Sequence, residues 1–119
     1  MSRQNLIALI LSSILALAAR AADLQWTPDS VVGLTIELVD QKRYEWMRFV
    51  RDGAVLITIG QKQGPLAAPV FQWTLVSGRL RITTDDKKPY EELTLVSRDA
   101  SKIVARRSSG ELITYKIQK

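Results

Sequence analysis

The chain of 119 residues contains no cysteine and no histidine. Those two absences exclude disulfides, thiolate nucleophiles, sulfur and imidazole metal ligands, and the imidazole base of a serine triad. A carboxylate-only site, or one built from Tyr, Arg and Glu, is the catalytic chemistry that remains open. The residue types therefore predict a protein that is not an enzyme and holds neither metal nor cofactor. The run Asp85-Asp86-Lys87-Lys88-Pro89 is polar but reads as a turn, without the spacing of a cation-binding loop.

Long apolar runs are also scarce. The single one, Leu6 to Ala19, follows Arg3 in a short polar start and ends in the small-x-small pattern Ala19-Arg20-Ala21. This predicts a secretory signal peptide over residues 1–21, cleaved after Ala21, and one mature domain over 22–119. The run is shorter than the ~18–20 residues of a spanning helix, so no membrane span is expected after cleavage. Small secreted domains of higher organisms are usually stapled by disulfides. A cysteine-free exported domain points instead to a bacterial envelope, in the periplasm or beyond it.

Charge is less one-sided than its total. The chain has 17 Lys and Arg against 12 Asp and Glu. Two of the arginines fall in the leader, which leaves the mature domain with an excess of three. An excess this small, spread along an exported chain, argues against nucleic acid as a partner.

What the mature chain does have is two-fold periodicity, punctuated by turn residues about every ten positions. Strands are predicted over Val31–Val39, Tyr44–Val50, Ala54–Ile59, Val70–Val76, Arg79–Thr84, Glu91–Ser97, Lys102–Arg107 and Glu111–Ile117. Eight short strands with mostly tight connections predict an all-β fold, an eight-stranded antiparallel up-and-down barrel. The segment "GQKQGPLAAP", residues 60–69, is the one long loop.

Turn lengths set the register, because residues paired across an antiparallel hairpin share a face. A two-residue Ser77-Gly78 loop pairs Leu75 with Leu80 and Trp73 with Ile82, leaving Arg79 and Arg81 outside. A three-residue Ser108-Ser109-Gly110 loop pairs Ala105 with Ile113 and Ile103 with Tyr115. For "YEWMRFVRDG", residues 44–53, a three-residue loop over Arg51-Asp52-Gly53 pairs Phe49 with Val55 and Met47 with Ile57. The rival two-residue loop would bury Arg48 among aliphatics, at a cost of several kcal/mol unless it is paired. The first register is favoured, with Ile36 opposite Met47 and Glu37 opposite Trp46.

Four groups of residues are candidates for function. Phe49, Phe71, Trp73 and Tyr115 face inward, and form either an apolar pocket or plain core. Tyr44, Trp46, Arg48 and Leu56 face outward with the composition of a binding hot spot. The bland alternative there is a lid, formed by "DLQWTP" (residues 23–28) or by the 60–69 loop. Arg79, Arg81, Arg106 and Lys116 form an outer basic group, either a solvated face or a surface for an anionic envelope. Glu37, Tyr44, Arg48 and Tyr90 are the one carboxylate-tyrosine-arginine set that can be assembled for catalysis, against the reading of a surface ion pair.

The stretches "VVGLTIEL", "FVRDGAV" and "FQWTLVSGRLRI", with the strand count, resemble the lipocalin-like, or calycin-like, small barrels. The resemblance spans nearly all of residues 24–117. Gly33 stands where those barrels begin their first strand, followed here by Leu34 and Thr35 in place of Gly-x-Trp, while Trp26 upstream is placed to cover an end. The resemblance implies a small hydrophobic ligand in the barrel. The residues equally allow a protein or envelope partner outside it, a structural module with no pocket, or a calycin-like lyase or isomerase acting on a small acid.

Overall fold

The computed structural model describes residues 24–119, so the expected signal peptide lies outside the described residues. Ten elements follow one another: α1 (Pro28–Val31), β1 (Thr35–Leu38), β2 (Arg43–Phe49), β3 (Ala54–Gln61), β4 (Leu66–Ala67), β5 (Val70–Val76), β6 (Arg79–Thr83), β7 (Pro89–Arg98), β8 (Lys102–Arg107) and β9 (Leu112–Ile117). Each barrel strand pairs antiparallel with its chain neighbour, and β9 closes on β1. The result is the expected closed eight-stranded barrel, with β4 added at the margin of β3.

Beyond shifts of one or two residues at strand ends, two features differ from the sequence reading. The β-branched run at Val31 belongs to α1, and the first strand begins only at Thr35. A capping box decides this: Ser30 N donates to Thr27 Oγ1, Thr27 N donates to Ser30 Oγ, and Pro28 occupies the first turn. Gly33, at φ +81, then turns the chain into β1. The long loop is not structureless either. Leu66 and Ala67 pair with Gly60 and Ile59, and Ile57 N donates to Pro69 O, so the ladder of β3 continues past the break before β5.

The hairpin registers follow the turn lengths. Leu75 faces Leu80 and Trp73 faces Ile82; Ala105 faces Ile113 and Ile103 faces Tyr115. Phe49 faces Val55, Met47 faces Ile57, and Ile36 faces Met47. Both three-residue loops require a left-handed glycine, and Gly53 and Gly110 supply it at φ +91 and +94. With the register so placed, Ile36, Met47, Phe49, Val55, Ile57, Leu80, Ile82, Leu93, Ile103 and Ala105 are buried in one continuous core.

One end of the barrel is closed. Trp26 is buried there, its N–H bound to Gly78 O and its indole Nε1–H donating to Leu93 O at 3.0 Å. Leu34 and Val31 complete the plug, and Gly33 N donates to Phe49 O. Beside them, the Trp73 indole donates to Val50 O and meets the Phe49 ring edge-on, with 6.2 Å between centroids. The upstream tryptophan thus covers an end of the barrel, as its position implied.

Candidate functional site

The outer wall comes first, because strand parity places it. Alternation along β2 turns Met47 and Phe49 inward and Tyr44, Trp46 and Arg48 outward. Cross-strand pairing extends this face in rows. Thr35, Arg48, Leu56 and Val70 form one row across β1, β2, β3 and β5. Lys102, Lys116, Glu37, Trp46 and Thr58 form a second across β8, β9, β1, β2 and β3. Tyr44, Gly60 and Leu66 form a third. The four outward candidates are therefore brought together, and Val70 and Leu66, 56% and 54% exposed, join them.

Among the described residues, neither expected lid is bonded across Trp46 and Arg48. The Trp26 segment is bound at the closed end, and Leu66–Ala67 pair beside β3 in the plane of the sheet, with Pro65 and Leu66 packed against the side-chain position of Gly60. In-plane strand addition consumes backbone groups and leaves the side-chain face open.

The basic group divides into two. Arg79 and Arg81 both bind the Glu92 carboxylate across β6 and β7, at 2.8 and 3.1 Å. Arg106 and Lys116, together with Lys102 and Arg48, form no ion pair among the described residues. One side of the barrel is charge-compensated. The side carrying Trp46 is not.

The interior candidates turn out to be core at two positions. Phe49 and Tyr115 are fully buried. Phe71 and Trp73 are half-buried and border a surface cleft of about 710 Å³ with Asp52, Gly53, Gln72 and Asp85. A deep apolar pocket lined by all four is not what they build.

The catalytic set from sequence is not assembled. Glu37, Tyr44 and Arg48 lie on the outer wall, whereas the Tyr90 hydroxyl points to Glu45. In its place the far end of the barrel holds a different constellation. Glu45, only 7% exposed, accepts from Tyr115 Oη at 2.8 Å and from Tyr90 Oη at 3.2 Å. Beside them Arg107 Nε lies 3.1 Å from Glu91 Oε2. That contact is off the hydrogen-bonding direction, so the pair is held by charge and the buried Nε has no hydrogen-bond acceptor.

The ladder between β6 and β7 slips at Ile82/Thr83. Such an irregularity lets neighbouring residues such as Tyr90 and Glu91 serve one site. Burial, followed by the nearby Glu45 carboxylate, raises the pKa of both tyrosines, so they remain hydrogen-bond donors. Burial also raises the Glu91 carboxyl above its ordinary value, against the pull of Arg107.

The chain matches no family model, no curated protein and no solved structure. Its functional reading rests on its own geometry. Of the residues that matter here, the sequence reading left Glu45, Glu91 and Arg107 without a role. A signal for the first was present: Glu45 shares parity with Met47 and Phe49, so the register that buries them buries it too.

Proposed function

We propose that the protein is an exported, non-enzymatic binding barrel that engages a partner in the bacterial envelope through its outer wall. Export is carried by the leader pattern at residues 1–21. The wall reading is carried by one observation: Tyr44, Trp46, Arg48 and Leu56 share one outward face, and among the described residues the Trp26 segment and the Leu66–Ala67 strand are bound elsewhere. Aromatic and arginine side chains on such a face are the usual anchors of binding. The well-buried core argues in the same direction, because side chains packed across the barrel hold the wall rigid.

The test is saturable adsorption of the purified protein to its host's envelope fraction. Trp46→Ala with Leu56→Ala is expected to weaken adsorption roughly tenfold or more, the scale of a lost hot-spot anchor. Adsorption equal to that of the unaltered protein would remove the wall from consideration.

A second reading is favoured by the Glu45 network: a small ligand held at the far end of the barrel by carboxylate, tyrosine and arginine groups. Native mass spectrometry of protein purified from its host distinguishes the two. A co-purifying small molecule that Glu45→Gln abolishes supports the second reading, and its absence from the unaltered protein counts against it.

A further inference from the structure

We infer that the occupant of the outer wall is the surface of an anionic lipid bilayer, an inference that rests on the outer-wall reading above. The first ground is how apolar area is distributed. Six large hydrophobic side chains are exposed among the described residues, and Val39, Leu56, Leu66, Val70 and Leu112 are five of them. All five belong to or adjoin the strands β9, β1, β2, β3, β4 and β5 that carry or border the Trp46 face. Trp46 and Tyr44 stand among them, half-buried. Amphipathic rings beside scattered aliphatics are the composition that settles at the headgroup boundary.

The second ground is charge. Arg48, Lys102 and Lys116 are exposed and make no ion pair among the described residues, and Glu37 is the one carboxylate in the cross-strand rows that hold them with Trp46, Leu56 and Val70. Among the described residues, the other carboxylates lie in α1, in loops, at the far end of the barrel, or against Arg79 and Arg81. Two of these three cations are lysines. Lysine is depleted in protein–protein interfaces but is drawn to anionic lipid surfaces, which favours a membrane over an acidic protein.

The experiment is flotation of the full protein with vesicles of equimolar phosphatidylglycerol and phosphatidylcholine, and with phosphatidylcholine alone. Binding to the anionic vesicles only is expected, with release as salt rises from about 0.1 to about 0.5 M, because the attraction is screened. Arg48→Gln/Lys102→Gln/Lys116→Gln is expected to weaken binding about a hundredfold, at about fivefold per cation. Arg79→Gln/Lys87→Gln/Lys88→Gln removes the same charge from elsewhere and is expected to change binding by less than about threefold, since those cations are remote from the wall. Equal losses in the two triple variants would overturn the inference, because net charge and not the wall would then govern binding. Absence of vesicle binding alongside wall-dependent adsorption to the envelope fraction would reject the lipid and leave the wall reading standing. Absence of both would reject both. A dimer in sedimentation that Trp46→Ala returns to monomer, without vesicle binding, would replace the bilayer with a second copy of the chain.

Discussion

Tyr115 Oη donates a 2.8 Å hydrogen bond to Glu45 Oε1 across 70 positions of sequence, inside the barrel and away from water. Tyr90 supplies a second donor to the same carboxylate from β7. A buried charge is tolerated when its hydrogen bonds are complete and becomes costly when one is lost.

The network should therefore respond asymmetrically to mutation. Tyr115→Phe leaves Glu45 short of its closest donor and is expected to cost about 1.5–3 kcal/mol in urea unfolding, the range for hydrogen bonds to charged groups. Glu45→Leu/Tyr90→Phe/Tyr115→Phe removes donors and acceptor together and should cost less than Tyr115→Phe alone, because no polar group is stranded. A triple variant less stable than the single one would contradict this account.

Trp26 joins the chain before the barrel to its floor by both packing and a hydrogen bond to Leu93 O. Trp26→Ala is expected to destabilise the domain by about 3–5 kcal/mol, the range for a large aromatic deleted from a core. Trp26→Phe should cost less but still leave the Leu93 carbonyl unpaired, at about 1–3 kcal/mol. Chemical denaturation of the two variants measures the difference.

Acid should act on the protein through two opposing groups. Asp99 accepts from the amides of Ser101 and Lys102, and Asp40 from those of Lys42 and Arg43, and these bonds lower both carboxyl pKa values. Their contribution is present above the unfolded aspartate pKa of about 3.9 and is lost as pH falls through the folded values. Glu91 has the opposite sign. Its folded pKa is raised by burial, so its ionisation weakens the fold as pH rises from the unfolded glutamate value, about 4.3, through the folded one. Asp99→Asn should flatten the acid limb of a stability–pH curve, and Glu91→Gln should remove the decline above pH ~4.3. An unchanged profile in both variants would show that neither group titrates as its surroundings dictate.

Wall residues should be separable from folding. Arg48, Lys102, Arg106 and Lys116 are exposed and make no ion pair among the described residues, so their replacement by Gln is expected to shift stability by less than about 0.5 kcal/mol. Thermal melts of these variants check that any loss of binding is a loss at the surface.

Local rules made the barrel legible. Hairpin length and two-fold periodicity place Met47 and Phe49 inside and Trp46 and Arg48 outside, because a one-residue slip would have buried an arginine. The misplaced start of β1 has an equally local cause, since the Thr27–Ser30 capping box outweighs the strand preference of Val31. The sequence by itself thus determined the number of barrel strands, their hairpin register and the outward direction of the wall residues, all of which depend on neighbours a few positions apart.

Only the tertiary structure decided how distant strands meet. Barrel closure and the slip before Tyr90 bring Glu45, Tyr90, Glu91, Arg107 and Tyr115 to one end, although no spacing in the chain relates them. It likewise decided that Glu92 neutralises Arg79 and Arg81 while Arg106 and Lys116 make no ion pair among the described residues, and that the Trp26 segment lies at the closed end and not over Trp46. Which charge finds a counter-ion, and which face finds a cover, depends on the three-dimensional order of the strands, and side-chain periodicity within a strand carries no information about it.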